Sequence, residues 1–357
     1  MIIDSLTITN FRSHALSKFE FSPKLNIITG KNAVGKTNVM EAIYYLSLAR
    51  SFRGVEDDEL IKRGSDWSEI KALIKEGEIK KNIKIRINKN GRQIVINGKP
   101  VSKLSELAKS VNVTLFEPKD VMLFRGSPKE RRNFLDISLS KKSSIYLEHI
   151  SRYEKALRTR NDLLKSENPD KILLETTREM LAKLSAPIVN FRQMYVKDIN
   201  DILNKITRAL TGAQGKIEII YKPFVDNDEH FLEHALEAFK RQEESDLKHK
   251  ATSIGPHRED FSVNLNERDI AVYGSQGENR LVALALKLSP YFLIDEKEKR
   301  PIIVLDDVMS ELDKTRQERL LGFLRKLGQV FITSTKTNAT NASIYEVRNH
   351  IVKRRNA

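Results

Sequence analysis

The chain has no cysteine, which excludes disulfides, thiolate-bound zinc and cysteine nucleophiles and fits a reducing compartment. No apolar run approaches the roughly 18 residues of a membrane-spanning helix. The first residues, MIIDSLTITNFRS, lack the basic and long apolar stretches of a secretory leader. Internal repeats and low-complexity tracts are missing as well. These absences point to a cytoplasmic globular chain with no membrane segment.

What is present has a marked sign. The 357 residues carry 62 Lys and Arg against 48 Asp and Glu, a formal net charge of +14. Such an excess favours an anionic partner, nucleic acid ahead of a membrane surface. A lysine-rich solubilising surface is the plainer alternative. With 40% hydrophobic residues, the chain can build two or more packed units.

The hydrophobic pattern predicts an α/β head interrupted by helices. Residues 1–10 and 18–22 read as short strands, and Leu25–Thr29 as a buried strand entering a glycine loop, followed by a helix over 36–49. From Asn82 to Asn88, isoleucines alternate with Lys84 and Arg86, and Asn90-Gly91 turns the chain back onto Gln93–Ile96 as a hairpin. Ser127, Pro128 and Glu130 form a capping-box helix start. From there to about residue 250 the pattern is mostly helical, with a break at Asn168-Pro169 and one stripe from Ile188 to Ile206. That stripe implies a helix of about 23 residues, roughly 35 Å long. Strand character returns at Phe261–Leu265. The expected organisation is residues 1–125 as the first part of the head, 126–250 as a helical insertion or arm, and 251–357 as the second part.

Gly30-Lys31-Asn32-Ala33-Val34-Gly35-Lys36-Thr37 fits the phosphate-loop pattern G-x-x-x-x-G-K-[ST], with an apolar strand before it and a helix after it. Its backbone N–H groups would wrap a triphosphate, Lys36 would neutralise the β- and γ-oxygens, and the Thr37 hydroxyl would hold Mg2+. Asn38 follows directly. Near the other end, Ile302–Leu305 reads as a strand buried on both faces, delivering Asp306 and Asp307 to the ligand edge of a parallel sheet. Asp306 would bind the Mg2+ shell, and Asp307 would orient or deprotonate an attacking water. Next come the Ser310-Glu311-Leu312-Asp313 segment and a strand at Val330–Thr333, with Ser334 and Thr335 as candidate polar contacts. A second loop, GSQGENR at 274–280, has the glycines and helix start of a phosphate site but no lysine.

The segments ITNFRSH (8–14), GKNAVGKTN (30–38), GSPKERRNFLD (126–136), GPHRED (255–260), GSQGENR (274–280) and LDDVMSELD (305–313) occur in order across nearly the whole chain. In this the chain resembles the RecF family, within the SMC-like ABC-type P-loop ATPase heads. The resemblance implies an ATP- and Mg2+-dependent homodimer in which Ser275 and Gly277 of one subunit close on the nucleotide held by the other. Arg12 would touch the nucleotide. A DNA clamp with weak ATPase activity, acting with RecR and RecO to load RecA, is implied too. Glu278-Asn279 stands where such heads usually carry two glutamines, placing a carboxylate near a phosphate. His257 and Arg258 are typical of the family, with no task legible in the sequence.

Arg131, Arg132, Lys84 and Arg86 are the cations to test for DNA contact. His230-Phe231-Leu232-Glu233-His234 matches an inverted zinc-protease pattern, but no third ligand is apparent and the surroundings suit a solvated helix. The rival readings are a transporter ATPase subunit, disfavoured by the charge and the long insertion, and a nuclease-coupled head. The latter needs a cluster of carboxylates beyond Asp313 that the sequence does not supply.

Overall fold

The computed structural model describes residues 1–212, 215–310, 312–335, 341–348 and 351–355. Glu311, named above, lies outside them. The chain forms two compact units, one of Met1–Val121, Ile206–Ala213 and Arg280–Ala357, the other of Met122–Lys205 and Gln214–Asn279.

The first unit begins with β1 (Ile2–Phe11), β2 (His14–Glu20), β3 (Leu25–Thr29) and α1 (Lys36–Leu48). It continues through β4 (Trp67–Glu76), β5 (Ile79–Asn88), β6 (Gly91–Ile96), β7 (Lys99–Val101), α2 (Leu104–Ser110) and β8 (Val113–Phe116). Six of these strands form an antiparallel sheet in the order β2-β1-β4-β5-β6-β7. Period-two alternation sorts its faces. Ile83, Ile85 and Ile87 are buried, whereas Lys84 and Arg86 face outward beside Lys71, opposite Lys84, and Trp67.

The second unit opens with α3 (Pro128–Lys142). Its capping box forms as the sequence predicts, with the Ser127 N–H donating to Glu130 at 2.8 Å. Next come α4 (Ser144–Lys165) and α5 (Lys171–Thr211), of which residues to Lys205 belong to this unit. The 41 residues of α5 exceed the 23 expected. The helix runs through Pro187, which removes one N–H donor to Lys183, while Leu181, Leu184, Ile188 and Val189 stay buried on either side. Burial of that stripe outweighs the lost bond.

A strand also interrupts the region expected to be helical. β9 (Ile217–Lys222) pairs with a later strand, and its other edge is met by two asparagines one helical turn apart on α5. Asn204 bonds the N–H and C=O of Ile217 (2.7 and 2.9 Å), and Asn200 does the same for Ile219 (2.8 and 2.9 Å). The two side-chain amides do the work of a neighbouring strand. The unit is completed by α6 (Phe231–His249), β10 (Asp260–Leu265), β11 (Arg268–Asp269), α7 (Ile270–Tyr273) and the first turn of α8 (Gln276–Phe292).

The GPHRED segment is the hub of this unit. Arg192 of α5, with its side chain 1% exposed, donates to Asp136 at 2.8 and 3.0 Å, to Glu259 at 2.7 Å and to the Pro256 carbonyl at 2.7 Å. Tyr221 adds a donor to Glu259. Arg131 clasps Asp260 with two bonds of 2.6 and 2.8 Å, and Arg132 donates to the Glu259 carbonyl at 2.6 Å. Both arginines, candidates for DNA from sequence, are therefore internal braces. His257 lies between the Tyr153 hydroxyl (2.7 Å) and the Thr252 carbonyl (3.0 Å), and Arg258 reaches the same carbonyl. Hydrogen bonds that fill this many buried donors and acceptors fix one packing of α3, α4 and α5.

The chain then returns to the first unit with the rest of α8, β12 (Ile302–Leu305), α9 (Lys314–Leu324), β13 (Val330–Ser334), β14 (Ser343–Arg348) and β15 (Ile351–Arg355). The second six-stranded sheet has the order β15-β14-β3-β13-β12-β8, parallel except for β15. β3 and β12 are buried at every residue, as parallel strands covered on both faces must be. Ile28, Val304 and Phe331 join Val39, Met40, Ile43 and Leu46 of α1 and the isoleucines of the antiparallel sheet in one core. Among the described residues, no helix is long and apolar enough to cross a membrane.

His257 makes the stability of the second unit pH-dependent. Burial lowers its pKa from 6.5 to about 4, so between these values the unfolded chain binds more protons than the folded one. Its contribution is complete above pH 6.5, falls as pH drops toward 4, and amounts to about 3 kcal/mol at most. In urea titrations from pH 7 to 4, His257→Gln should flatten the wild-type loss of stability; identical slopes would contradict this.

Candidate functional site

The parallel sheet places the phosphate loop and the two aspartates together. Because β13 lies between β3 and β12, the loop after β3 and the turn after β12 emerge at the same carboxyl edge, where open α/β sheets hold ligands. Gly30 has φ +151°, and a Cβ there would come within 2.5 Å of the Val347 carbonyl. Lys31, Asn32 and Ala33 form the exposed crest, with Ala33 at φ 64°, and Val34 is half-buried. Gly35, at φ 102°, caps α1. Successive N–H groups on such a loop make an anion cradle.

Lys36 is nearly buried and folds back onto its own loop, donating to the carbonyls of Gly30 (2.9 Å) and Lys31 (2.8 Å). Burial lowers its pKa, against the opposing charges of Asp307 and Asp306. The ammonium is thus held at the mouth of the cradle by weak neutral acceptors, which an anion's oxygens can replace.

Thr37 and Asp306 meet, the hydroxyl donating to the carboxylate at 3.2 Å. Thr333, the residue before the two polar candidates Ser334 and Thr335, donates to the same oxygen at 2.8 Å and accepts the Asp307 N–H at 2.8 Å. Asp306 is buried and its pKa is raised, chiefly by desolvation. Among the described residues no lysine or arginine bridges it. A desolvated carboxylate flanked by hydroxyls offers hard oxygen ligands and unspent charge, so Thr37 and Asp306 fit Mg2+.

Asp307 is exposed and takes the left-handed φ of 49°. Its carbonyl accepts from Arg280 at 2.8 Å and from Ser310 at 3.1 Å. Arg280 closes the GSQGENR motif, and its buried guanidinium anchors the turn that carries Asp307. The sequence gives no hint of this use, since the rest of that motif belongs to the second unit.

Arg12 does not lie free. It forms two bonds to the fully buried Glu41 on α1 (2.9 and 2.7 Å) and one to the Glu59 carbonyl (3.0 Å). Ser51 donates to Glu41 as well, and Arg53 stands 3.9 Å from it and 3.4 Å from Asn38. Asn38 donates to Ser13 at 2.9 Å. The NFRS loop is thereby fastened to the first turns of α1, directly after the phosphate loop. His14 adds a third fastening, from its ring to the Gly35 carbonyl at 3.1 Å.

In the second unit, Ser275 and Glu278 form a capping box. The Ser275 N–H donates to the Glu278 carboxylate at 2.8 Å, and the Glu278 N–H to the Ser275 hydroxyl at 3.3 Å. The carboxylate that sequence reasoning set beside a phosphate thus serves as the helix cap. Gly277 follows in the first turn of α8. His230 and His234 each face a carboxylate at 3.5 to 3.6 Å on the surface, and the described residues hold no cluster of three or more His, Cys, Asp or Glu side chains that could bind a metal there.

The chain is similar to known proteins along nearly its whole length. The family described as RecF/RecN/SMC N terminal domain matches residues 2–356. The chain is 37% identical to the DNA replication and repair protein RecF of Clostridium tetani over 364 residues, covering 98% of each. It is 36% identical to that of Lachnoclostridium phytofermentans over 340 residues, covering 94% of this chain and 93% of the relative. A solved structure of the recombination mediator protein RecF with ATP, from the RecFOR pathway, superposes with a TM-score of 0.89 at 33% identity. It covers 99% of this chain and 97% of that one. A Pyrococcus furiosus Smc head domain, with a TM-score of 0.61 and 17% identity over 99% of this chain and 95% of that one, shares the fold.

Thr333→Val keeps the shape of the residue and deletes the hydroxyl that joins Asp306 to the Asp307 N–H. Magnesium-dependent ATP turnover should fall about tenfold in kcat in a phosphate-release assay, the effect of one or two lost polar contacts. Unchanged turnover would remove Thr333 from the site.

Proposed function

The chain belongs to the RecF family of DNA replication and repair proteins, and from that premise we propose that it is an ATP-dependent DNA-binding repair protein whose active centre is completed by dimerisation. The observation that carries the proposal is the intact phosphate loop with Thr37 held against Asp306 at 3.2 Å. Residues Gly30 to Asn38 bind the triphosphate, the loop N–H groups meet its oxygens, and Lys36 exchanges its carbonyl partners for the β- and γ-phosphates. Thr37 and Asp306 hold Mg2+, which supplies charge neutralisation at the phosphate oxygens. Asp307, exposed beside them, orients or deprotonates the attacking water. Arg12 is assigned to the nucleotide on family grounds, reaching it from its pairing with Glu41. Ser275 and the Gly277 N–H of one subunit close on the nucleotide of the other, so that ATP drives a homodimer. The absence of a lysine from their loop supports that division of labour.

The net charge of +14 supports a DNA partner. With Arg131 and Arg132 committed internally, the outward face of the antiparallel sheet is the better candidate surface, where Lys71 and Lys84 are half-exposed around Glu69 and Arg86 lies over Trp67. On this reading the dimer is a slow, cytoplasmic ATPase that clamps gapped or stalled DNA and, with RecR and RecO, promotes RecA loading.

Ser275→Arg should leave nucleotide binding by the monomer intact and abolish ATP-driven dimers in light scattering. Normal dimerisation of that variant would rule out the trans assignment. Lys36→Arg should impair hydrolysis while keeping some ATP binding, because the planar guanidinium replaces a compact ammonium poorly. DNA affinity should rise with ATP and fall steeply with salt; binding indifferent to salt would contradict an electrostatic clamp.

A further inference from the structure

His14 has no part in the chemistry described so far, yet it is fully buried against the phosphate loop. Its Nε2 lies 3.1 Å from the Gly35 carbonyl and its Nδ1 2.9 Å from the Ser17 hydroxyl. A carbonyl only accepts, so Nε2 carries the proton that faces it. Ser17, three residues along β2 and itself buried, fixes the plane of the ring from the opposite side. A buried histidine could be satisfied in many ways; this one is directed at the one residue that both ends the loop and caps α1.

The choice of carbonyl matters. Gly35 has φ 102°, a left-handed conformation that a glycine can leave at little steric cost. In a planar trans peptide the carbonyl and the following N–H point in opposite directions. Anchoring the Gly35 carbonyl therefore fixes the direction of the Lys36 N–H. The same carbonyl accepts the Asn38 N–H at 3.2 Å and the Val39 N–H at 3.3 Å, the first bonds of α1. Helix and histidine together hold one peptide plane.

We propose that His14 is a positioning residue: its Nε2–H locks the Gly35–Lys36 peptide so that the phosphate loop is preorganised for a nucleotide triphosphate. The proposal rests on the reading of that loop as a nucleotide site. Preorganisation acts on binding by sparing the ligand the cost of ordering the loop. The loss on substitution should therefore fall on nucleotide affinity and KM rather than on kcat.

Two amide substitutions separate the two ring contacts. A glutamine amide nitrogen reaches about as far as Nε2 and can keep the Gly35 bond. An asparagine reaches only to the Nδ1 position and can keep only Ser17. Binding of the fluorescent analogue mant-ATP with Mg2+ is measured on the full chain as wild type, His14→Gln, His14→Asn and His14→Phe, with thermal unfolding as the check on folding. His14→Gln should stay within about threefold of wild type, and His14→Asn and His14→Phe should bind about tenfold more weakly, the effect of roughly one hydrogen bond. His14→Gln as weak as His14→Asn, or His14→Phe as tight as wild type, overturns the proposal. Should the phenylalanine variant fail to fold, the order of the two amide variants decides alone. Binding by the wild type tests the nucleotide reading itself; the order among variants tests His14.

Discussion

Residues separated by almost the whole chain act together because one parallel strand lies between two others. β13 pairs on one side with β3 and on the other with β12, and this arrangement alone brings Thr37 within 3.2 Å of Asp306 across 269 residues of sequence. The pairing is held by apolar burial. Every residue of β3 and β12 is buried, each large aliphatic side chain contributing about 1.5–3 kcal/mol. The polar pair at the edge adds little to that sum. Its geometry is inherited from the core beneath it.

The same principle governs the loops around the site. Arg12 on Glu41, Ser13 on Asn38 and His14 on Gly35 are three consecutive residues gripping α1 and its cap. A helix start that must present its N–H groups to an anion cannot also satisfy them internally. The segment instead immobilises the side chains and the carbonyl around those groups, leaving the donors available. In the second unit a comparable economy appears around Arg192, where one guanidinium serves Asp136, Glu259 and Pro256. Leaving Glu259 buried without it would be costly, which accounts for the placing of GPHRED at the centre of the helices.

Features with a local signature were legible in the sequence. The phosphate loop, the buried strand before Asp306, the 83–96 hairpin and the capping box at Ser127 all follow from spacing and residue type within a dozen positions. Features that depend on a distant partner were not. Glu41 sits in an otherwise helical pattern, and nothing local marks it as the buried partner of Arg12. The sequence points to Ser334 and Thr335, whereas the last buried residue of the strand, Thr333, is the one that reaches the neighbouring carboxylate. β9 falls in a region whose pattern is mostly helical, and its second edge is supplied from another element by Asn200 and Asn204. The stripe from Ile188 to Ile206 implies a shorter helix than the 41 residues that burial sustains. The S-x-x-E pattern at 275–278 is identical in kind to that at 127–130, and its capping role was hidden by the glycines around it.

On the proposed reading each molecule contributes half of a shared active centre. The most direct test is a structure of the Asp307→Asn variant with ATP and Mg2+, in which turnover is slowed. A shared centre should appear there as a two-fold dimer with the partner subunit's Ser275 hydroxyl and Gly277 N–H within hydrogen-bond distance of the γ-phosphate bound at Lys36. A nucleotide enclosed by one polypeptide alone, with its own Ser275 on the γ-phosphate, would contradict it.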